Sequence, residues 1–210
     1  MHPKLHTGLK MKSLPVVVIA AILAVSIVDA FIENSFEQIM GCKQYNSGAK
    51  YHGAVKYFST ASMRHVGSTG RSKFFKFAIF GPSDGLVRYG KTVYPYDSDG
   101  IEIVLGGWKN TKSAGRRQRR TATHQNVNTL LAEAPTPYLM SQYGPIMFVL
   151  EVFDDGQVKV RRYGQSTPFL SFNDTNRTPV DYMAFAKGDQ DLIFFYDCPL
   201  GNPNRVDALK

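Results

Sequence analysis

Residues 103–120, IVLGGWKNTKSAGRRQRR, gather most of the side chains that could engage a ligand. An apolar run ends in Gly106 and Gly107, Trp108 is the only tryptophan, and four arginines stand at 116, 117, 119 and 120. A tryptophan offers a flat face for a sugar ring or another flat apolar group, and its N–H needs one partner when buried. The glycines let backbone and ligand approach closely. Asn110 and Ser113 supply an amide and a hydroxyl that can bond ligand hydroxyls. Arg116 and Arg117 supply forked donors matched to carboxylate, sulfate or phosphate. Gly107, Trp108, Asn110, Ser113, Arg116 and Arg117 are therefore the candidate ligand-binding residues. Two readings of Trp108 stand at this level, a strand-end anchor plugging the core and an exposed stacking platform. The RRQRR run at 116–120 carries three readings: a solvated basic strand end, an acidic-ligand patch, or a proprotein-convertase site of R-x-[KR]-R form at 117–120.

Signals for catalysis are weak by comparison. The chain has no H-E-x-x-H, G-x-S-x-G, C-x-x-C or G-x-G-x-x-G motif, so nothing points to a zinc protease, a nucleophile elbow, a redox pair or a dinucleotide cradle. His52, His65 and His124 are far apart in sequence, and no metal set can be argued from them. Asp154 and Asp155 fit a hairpin turn better than paired acid–base chemistry. No catalytic residue, metal or cofactor is assigned.

The elements that must position these residues are strands. KFFKFAIF at 73–80 and YHGAVKYFST at 51–60 are rich in aromatic and β-branched residues, and GPSDG at 81–85 breaks the former. IEIVL at 101–105 reads as a strand buried on both faces. MFVLEVFDDGQVKVRRYG at 147–164 is the clearest hairpin, with Asp155-Gly156 at a turn that tolerates positive φ. A second hairpin is expected at 180–198, turning at 187–190. NVNTLLAEA at 126–134, ending before Pro135, is the one helical candidate. Many short strands without intervening helices predict an all-β fold, an antiparallel β-sandwich of jelly-roll or lectin-like form.

Lys4, Lys10 and Lys12 precede an apolar run at 16–28 that is short for a bilayer span, and VDA follows at 28–30. That layout predicts a secretory signal peptide at 1–30, a single domain at 31–210 and no stable membrane insertion after cleavage. The net charge of +8 falls with the leader but stays positive. Such a balance suits extracellular glycans, acidic small ligands or lipid surfaces, and a secreted address argues against nucleic acid. Cys42 and Cys198 are the only cysteines; in an oxidising compartment the pair reads as a disulfide, the rival being two buried thiols. NDT and NRT place glycosylation sequons at Asn173 and Asn176, the latter followed by Pro179.

SDGIEIVLGGWKNTKS (98–113), FVLEVFDDGQVKV (148–160) and TPVDYMAFAKGD (178–189) together resemble the farnesoic acid O-methyltransferase-like domain of arthropod proteins. The resemblance extends from residue 51 to residue 198, and its specific core is G-G-W-x-N-x-x-S. The chain departs where the family carries an aromatic pair entering the hairpin, here Met147 and Phe148, and a tryptophan in the last strand, here Ile193 and Phe194. The family name implies methyl transfer to the carboxylate of farnesoic acid, a juvenile-hormone precursor. The residues favour a different role: a secreted domain recognising a carbohydrate or other small extracellular ligand, with a structural protein-interaction module as a third reading.

Overall fold

A computed structural model describes residues 34–45, 48–121, 123 and 125–201. The expected signal peptide lies outside the described residues, as does His124. Among the described residues fourteen strands form two seven-stranded sheets. Sheet I runs in the order β1 (Lys43–Tyr45), β14 (Ile193–Tyr196), β5 (Ser72–Gly81), β10 (Ser141–Phe153), β11 (Gln157–Arg162) and β12 (Leu170–Asn173), with β4 (Val66–Ser68) on β5. Sheet II runs β2 (Ala49–Lys50), β13 (Tyr182–Lys187), β6 (Gly85–Gly90), β7 (Asp99–Gly106), β8 (Lys112–Arg120) and β9 (Asn126–Pro135), with β3 (Phe58–Ser59) on β13. Every pairing is antiparallel except β2 with β13. The protein is an all-β sandwich.

Strand alternation builds the core between the sheets. Phe75, Phe77 and Ile79 of β5 stand opposite Leu150, Phe148 and Ile146 of β10. From sheet II come Val87 and Tyr89, paired with Ile103 and Ile101. Phe185 of sheet II stacks on Phe194 of sheet I at 4.9 Å between ring centroids, joining the layers. Phe148 belongs to this core, while Met147 is buried on the other face of β10 with Ala78 and Cys198.

The hairpin at Asp155-Gly156 forms as its turn chemistry dictates. Gly156 has φ 94°, and a Cβ there would meet the Asp174 carbonyl oxygen at 2.2 Å, so only glycine fits. Cys42 and Cys198 are disulfide-bonded, beside the β1–β14 pair that aligns Lys43 with Tyr196.

Three local expectations are corrected. Residues 126–134 are strand β9 rather than helix, because pairing along β8 outweighs the helix preference of Leu, Ala and Glu. Residues 180–198 are not a hairpin: β13 joins sheet II and β14 joins sheet I, so the link at 188–192 crosses between layers. Most of residues 51–60 is a strap rather than a strand, and only Phe58 and Ser59 pair, with β13.

Candidate functional site

Strand β7 is buried on both faces and delivers the chain to an unusual reversal, Gly107–Asn110. Gly106, at φ 56°, enters the turn with a left-handed backbone. Trp108, Lys109 and Asn110 follow at φ 51°, 60° and 63°. A side chain in this region costs about 1–2 kcal/mol per residue, with Asn the most tolerant. Gly106 has no substitute, since a Cβ would meet Met140 Cγ at 2.4 Å.

Neighbouring loops pin the turn. Asn110 Nδ2 donates to the Met140 carbonyl at 2.9 Å, and the Met140 N–H donates to Asn110 Oδ1 at 2.9 Å. The Tyr138 N–H donates to the Asn110 carbonyl, the Thr136 N–H to that of Thr111, and the Asp84 N–H to that of Gly106, each at 2.9 Å. Five of the eight positive-φ non-glycine residues described, Asp84, Trp108, Lys109, Asn110 and Tyr138, gather in these adjoining loops. Backbone strain concentrated in this way is common at ligand-binding sites.

The strained backbone presents aromatics outward. Trp108 is 42% exposed and Tyr138 is 87% exposed. Lys112 Nζ lies 4.3 Å from the Trp108 ring centroid and the Arg116 guanidinium carbon 5.2 Å from it. Both cations stand on the outer face of sheet II, where Lys112 also pairs with Glu133 at 2.9 Å.

Of the sequence-predicted residues, Trp108 and Arg116 share this outer surface, while Gly107 is buried. Ser113 is fully buried; its hydroxyl accepts from the Gly106 N–H at 3.3 Å and bonds Thr136 Oγ1 at 2.8 Å. Asn110 spends its amide on Met140. The period of two along β8 sends Arg117 to the opposite face from Arg116. There Arg117 Nε donates to Asp174 Oδ1 at 3.0 Å. Burial pushes the Asp174 carboxyl up, but bonds from Thr178 and Arg117 outweigh it and hold the group below the ordinary carboxylate range. Asn173 and Asn176 are both exposed on the surface. The RRQRR run lies within β8, paired with β7 on one side and β9 on the other.

Arg88 and Glu102 are residues the sequence reading missed. They face each other across β6 and β7, with side chains 1% and 0% exposed and Arg88 Nε 2.8 Å from Glu102 Oε2. A single charge inside each of two apolar runs, GLVRYG and GIEIVL, is the signal that could have found them. The strap at 51–57 seals them: Arg88 and Arg120 both donate to the Tyr51 carbonyl, at 3.0 and 2.9 Å. Burial and the nearby Arg88 charge lower the pKa of Arg120, and burial pushes the Tyr57 hydroxyl up to about 12.

A cleft of about 620 Å³ lies at the other end of the sandwich between Met63, Val66, Lys73, Lys91, Asp181 and Tyr182. Among the described residues no cluster of His, Cys, Asp and Glu could hold a metal ion, and no helix is long and apolar enough to cross a membrane.

These features define a class: a disulfide-closed β-sandwich whose loops present an aromatic and cationic surface. The profile of the farnesoic acid O-methyl transferase family matches residues 51–200, and the chain belongs to that family. No curated protein matches it in sequence. Among solved structures it is similar to the carbohydrate recognition domain of Emp47p, at 10% identity, over 75% of this chain and 86% of that one, with a TM-score of 0.38. It is also similar to the binding domain of botulinum neurotoxin DC in complex with SialylT, at 8% identity over 63% and 33% of the two chains, TM-score 0.32. An alginate lyase from Pseudomonas aeruginosa is similar at 9% identity over 60% and 62%, TM-score 0.30.

The family name implies S-adenosylmethionine, and the residues after β7 do not fit it. Such cradles set a glycine loop between a parallel strand and a helix. Here β7 is antiparallel to both neighbours, the Gly106 N–H is spent on Ser113, and a Cβ on Gly107 would meet Val104 at 2.7 Å. The glycines serve the turn itself.

Proposed function

We propose that this chain is an extracellular recognition domain that binds a carbohydrate or another small ring-bearing ligand on the surface around Trp108. One observation carries the reading: an exposed tryptophan is held in a left-handed turn by hydrogen bonds from two adjoining loops. A residue held there only for packing would be buried, and a turn built only to reverse the chain would use glycine or asparagine in place of tryptophan. Ring stacking with one or two hydrogen bonds is worth about 1–3 kcal/mol, so affinity from these contacts should be weak, about millimolar or weaker.

The test is a titration of the purified protein with oligosaccharides, followed by the fluorescence of its only indole. Binding should shift the emission saturably, and Trp108→Ala should abolish binding (read by calorimetry) with the circular dichroism spectrum unchanged. Binding that spares the fluorescence and survives Trp108→Ala would move the site to the cleft beside Lys73 and Asp181. Saturable binding of S-adenosylmethionine, with methyl transfer to farnesoic acid above the no-enzyme control, would replace this reading with the activity the family name implies.

A further inference from the structure

We infer that the ligand of the Trp108 surface is an acidic saccharide, whose carboxylate or sulfate engages Arg116 while a sugar ring lies on the indole. The inference rests on the reading of Trp108 as the binding surface. It comes from charge bookkeeping on the outer face of sheet II.

That face carries Arg88, Lys112, Arg116 and Arg120 against only two carboxylates, Glu102 and Glu133. Glu102 Oε2 already accepts from Arg88 Nε at 2.8 Å and from Gln118 Nε2 at 3.1 Å. Its Oε1 accepts no hydrogen bond and stands 3.5 Å from Arg116 NH1. Arg120 is committed to the carbonyls of Tyr51 and Gly53. Arg88 NH1 is buried without a partner, so the surplus positive charge is not met from within the fold.

Arg116 is where a ligand can meet that surplus. Its side chain is 18% exposed, its ion pair with Glu102 is a loose one at 3.5 Å, and among the described residues its guanidinium donates no hydrogen bond. A guanidinium has five donors in a rigid fork matched to carboxylate and sulfate oxygens. Arg116 therefore presents unused donors beside the tryptophan, its guanidinium carbon 5.2 Å from the ring centroid. Lys112 is the second cation against that ring, and its partnership with Glu133 is a surface pair that exchanges at little cost. A neutral sugar could stack on Trp108 but would bring no anionic acceptor to the unused guanidinium donors. An anionic group beside the ring satisfies both.

Three tetrasaccharide probes test this: chitotetraose, neutral; a hyaluronan fragment, bearing carboxylates; and a chondroitin sulfate fragment, bearing sulfates as well. Trp108 fluorescence and calorimetry should show at least one acidic probe binding about tenfold or more tighter than chitotetraose. Preference between the acidic probes assigns the partner group as carboxylate or sulfate. Arg116→Gln should erase the preference, so that the acidic probes bind this variant no tighter than chitotetraose binds it. Lys112→Gln, which does not uncover Glu102, should reduce it by a smaller factor. Raising salt from about 50 mM to about 500 mM should weaken only the acidic probes. Chitotetraose binding as tightly as the acidic probes overturns the inference and leaves the recognition reading in place. Failure of all three probes on folded protein overturns both.

Discussion

Trp108→Gly separates a binding platform from a core plug. The indole contributes cation–π contacts with Lys112 and Arg116, at about 0.5–1 kcal/mol each for an exposed site, and some packing from its buried edge. Against this stands φ 51°, which costs a tryptophan about 1–2 kcal/mol and a glycine almost nothing. The terms nearly cancel, so Trp108→Gly should lower stability by less than about 2 kcal/mol, whereas removing a packed tryptophan costs about 3–5 kcal/mol. Trp108→Ala supplies the sharper comparison, because it loses the same contacts and keeps the strain. The glycine variant should therefore be more stable than the alanine variant by about 1 kcal/mol, the reverse of their order at ordinary positions. Urea unfolding followed by far-ultraviolet circular dichroism, with the disulfide intact, reads both values, and the slope should not change. An alanine variant at least as stable as the glycine variant would refute the left-handed turn. A loss above about 3 kcal/mol in both would make Trp108 a plug.

Three further outcomes are expected. Asp174 and Asp197 are buried, which alone would raise their pKa values, but Thr178 and Arg117 in the first case and Lys43 with two backbone N–H groups in the second hold both below the ordinary range. A depressed folded-state pKa gives stability that is complete above the ordinary carboxylate value near about 4 and is lost as pH falls through the folded value. The urea midpoint should thus fall progressively as pH drops below about 4, and Asp174→Asn should flatten the drop. Because residues 117–120 are paired on both sides within β8, protein secreted from eukaryotic cells should remain one chain on a reduced gel; fragments beginning at Thr121 would show that convertases reach the run. The same secreted protein should begin at Phe31 and lose mass on deglycosylation if Asn173 or Asn176 is used, and intact-mass spectrometry that finds residues 16–30 retained in the membrane fraction would reject the leader.

Much of the sandwich was legible because its signals are local. Asp155-Gly156 between two alternating runs can only be a hairpin, and the cysteine pair needed only a compartment. What stayed hidden depends on partners distant in sequence. Residues 126–134 carry helix-forming side chains, and only the edge of β8 makes them a strand. The crossing from β13 to β14 cannot be told from a hairpin turn until each strand has its sheet. Within the candidate site, alternation could have separated Arg116 from Arg117 had the strand been extended through the arginines. The run of positive charge read instead as a surface feature. Three consecutive left-handed residues have no sequence signature when the first is tryptophan, so the pinning of the turn at Asn110 by Tyr138 and Met140 was beyond reach.

The latch at Cys42 and Cys198 also sets a timetable for maturation. Strand β5, central to sheet I, takes β10 and β14 as partners, and β1 pairs only with β14. Cys198 lies beyond every described strand and is separated from Cys42 by 156 residues. A ribosome-bound chain can build the hairpin from β10 to β11 early, yet sheet I must wait for β14. Pairings this distant in sequence form slowly, and during the wait the hydrophobic edge of β5 is open to other chains. Oxidation should therefore come last, once β14 has paired with β5 and β1. Yield on heterologous expression should depend more on that late closure than on any step within either sheet.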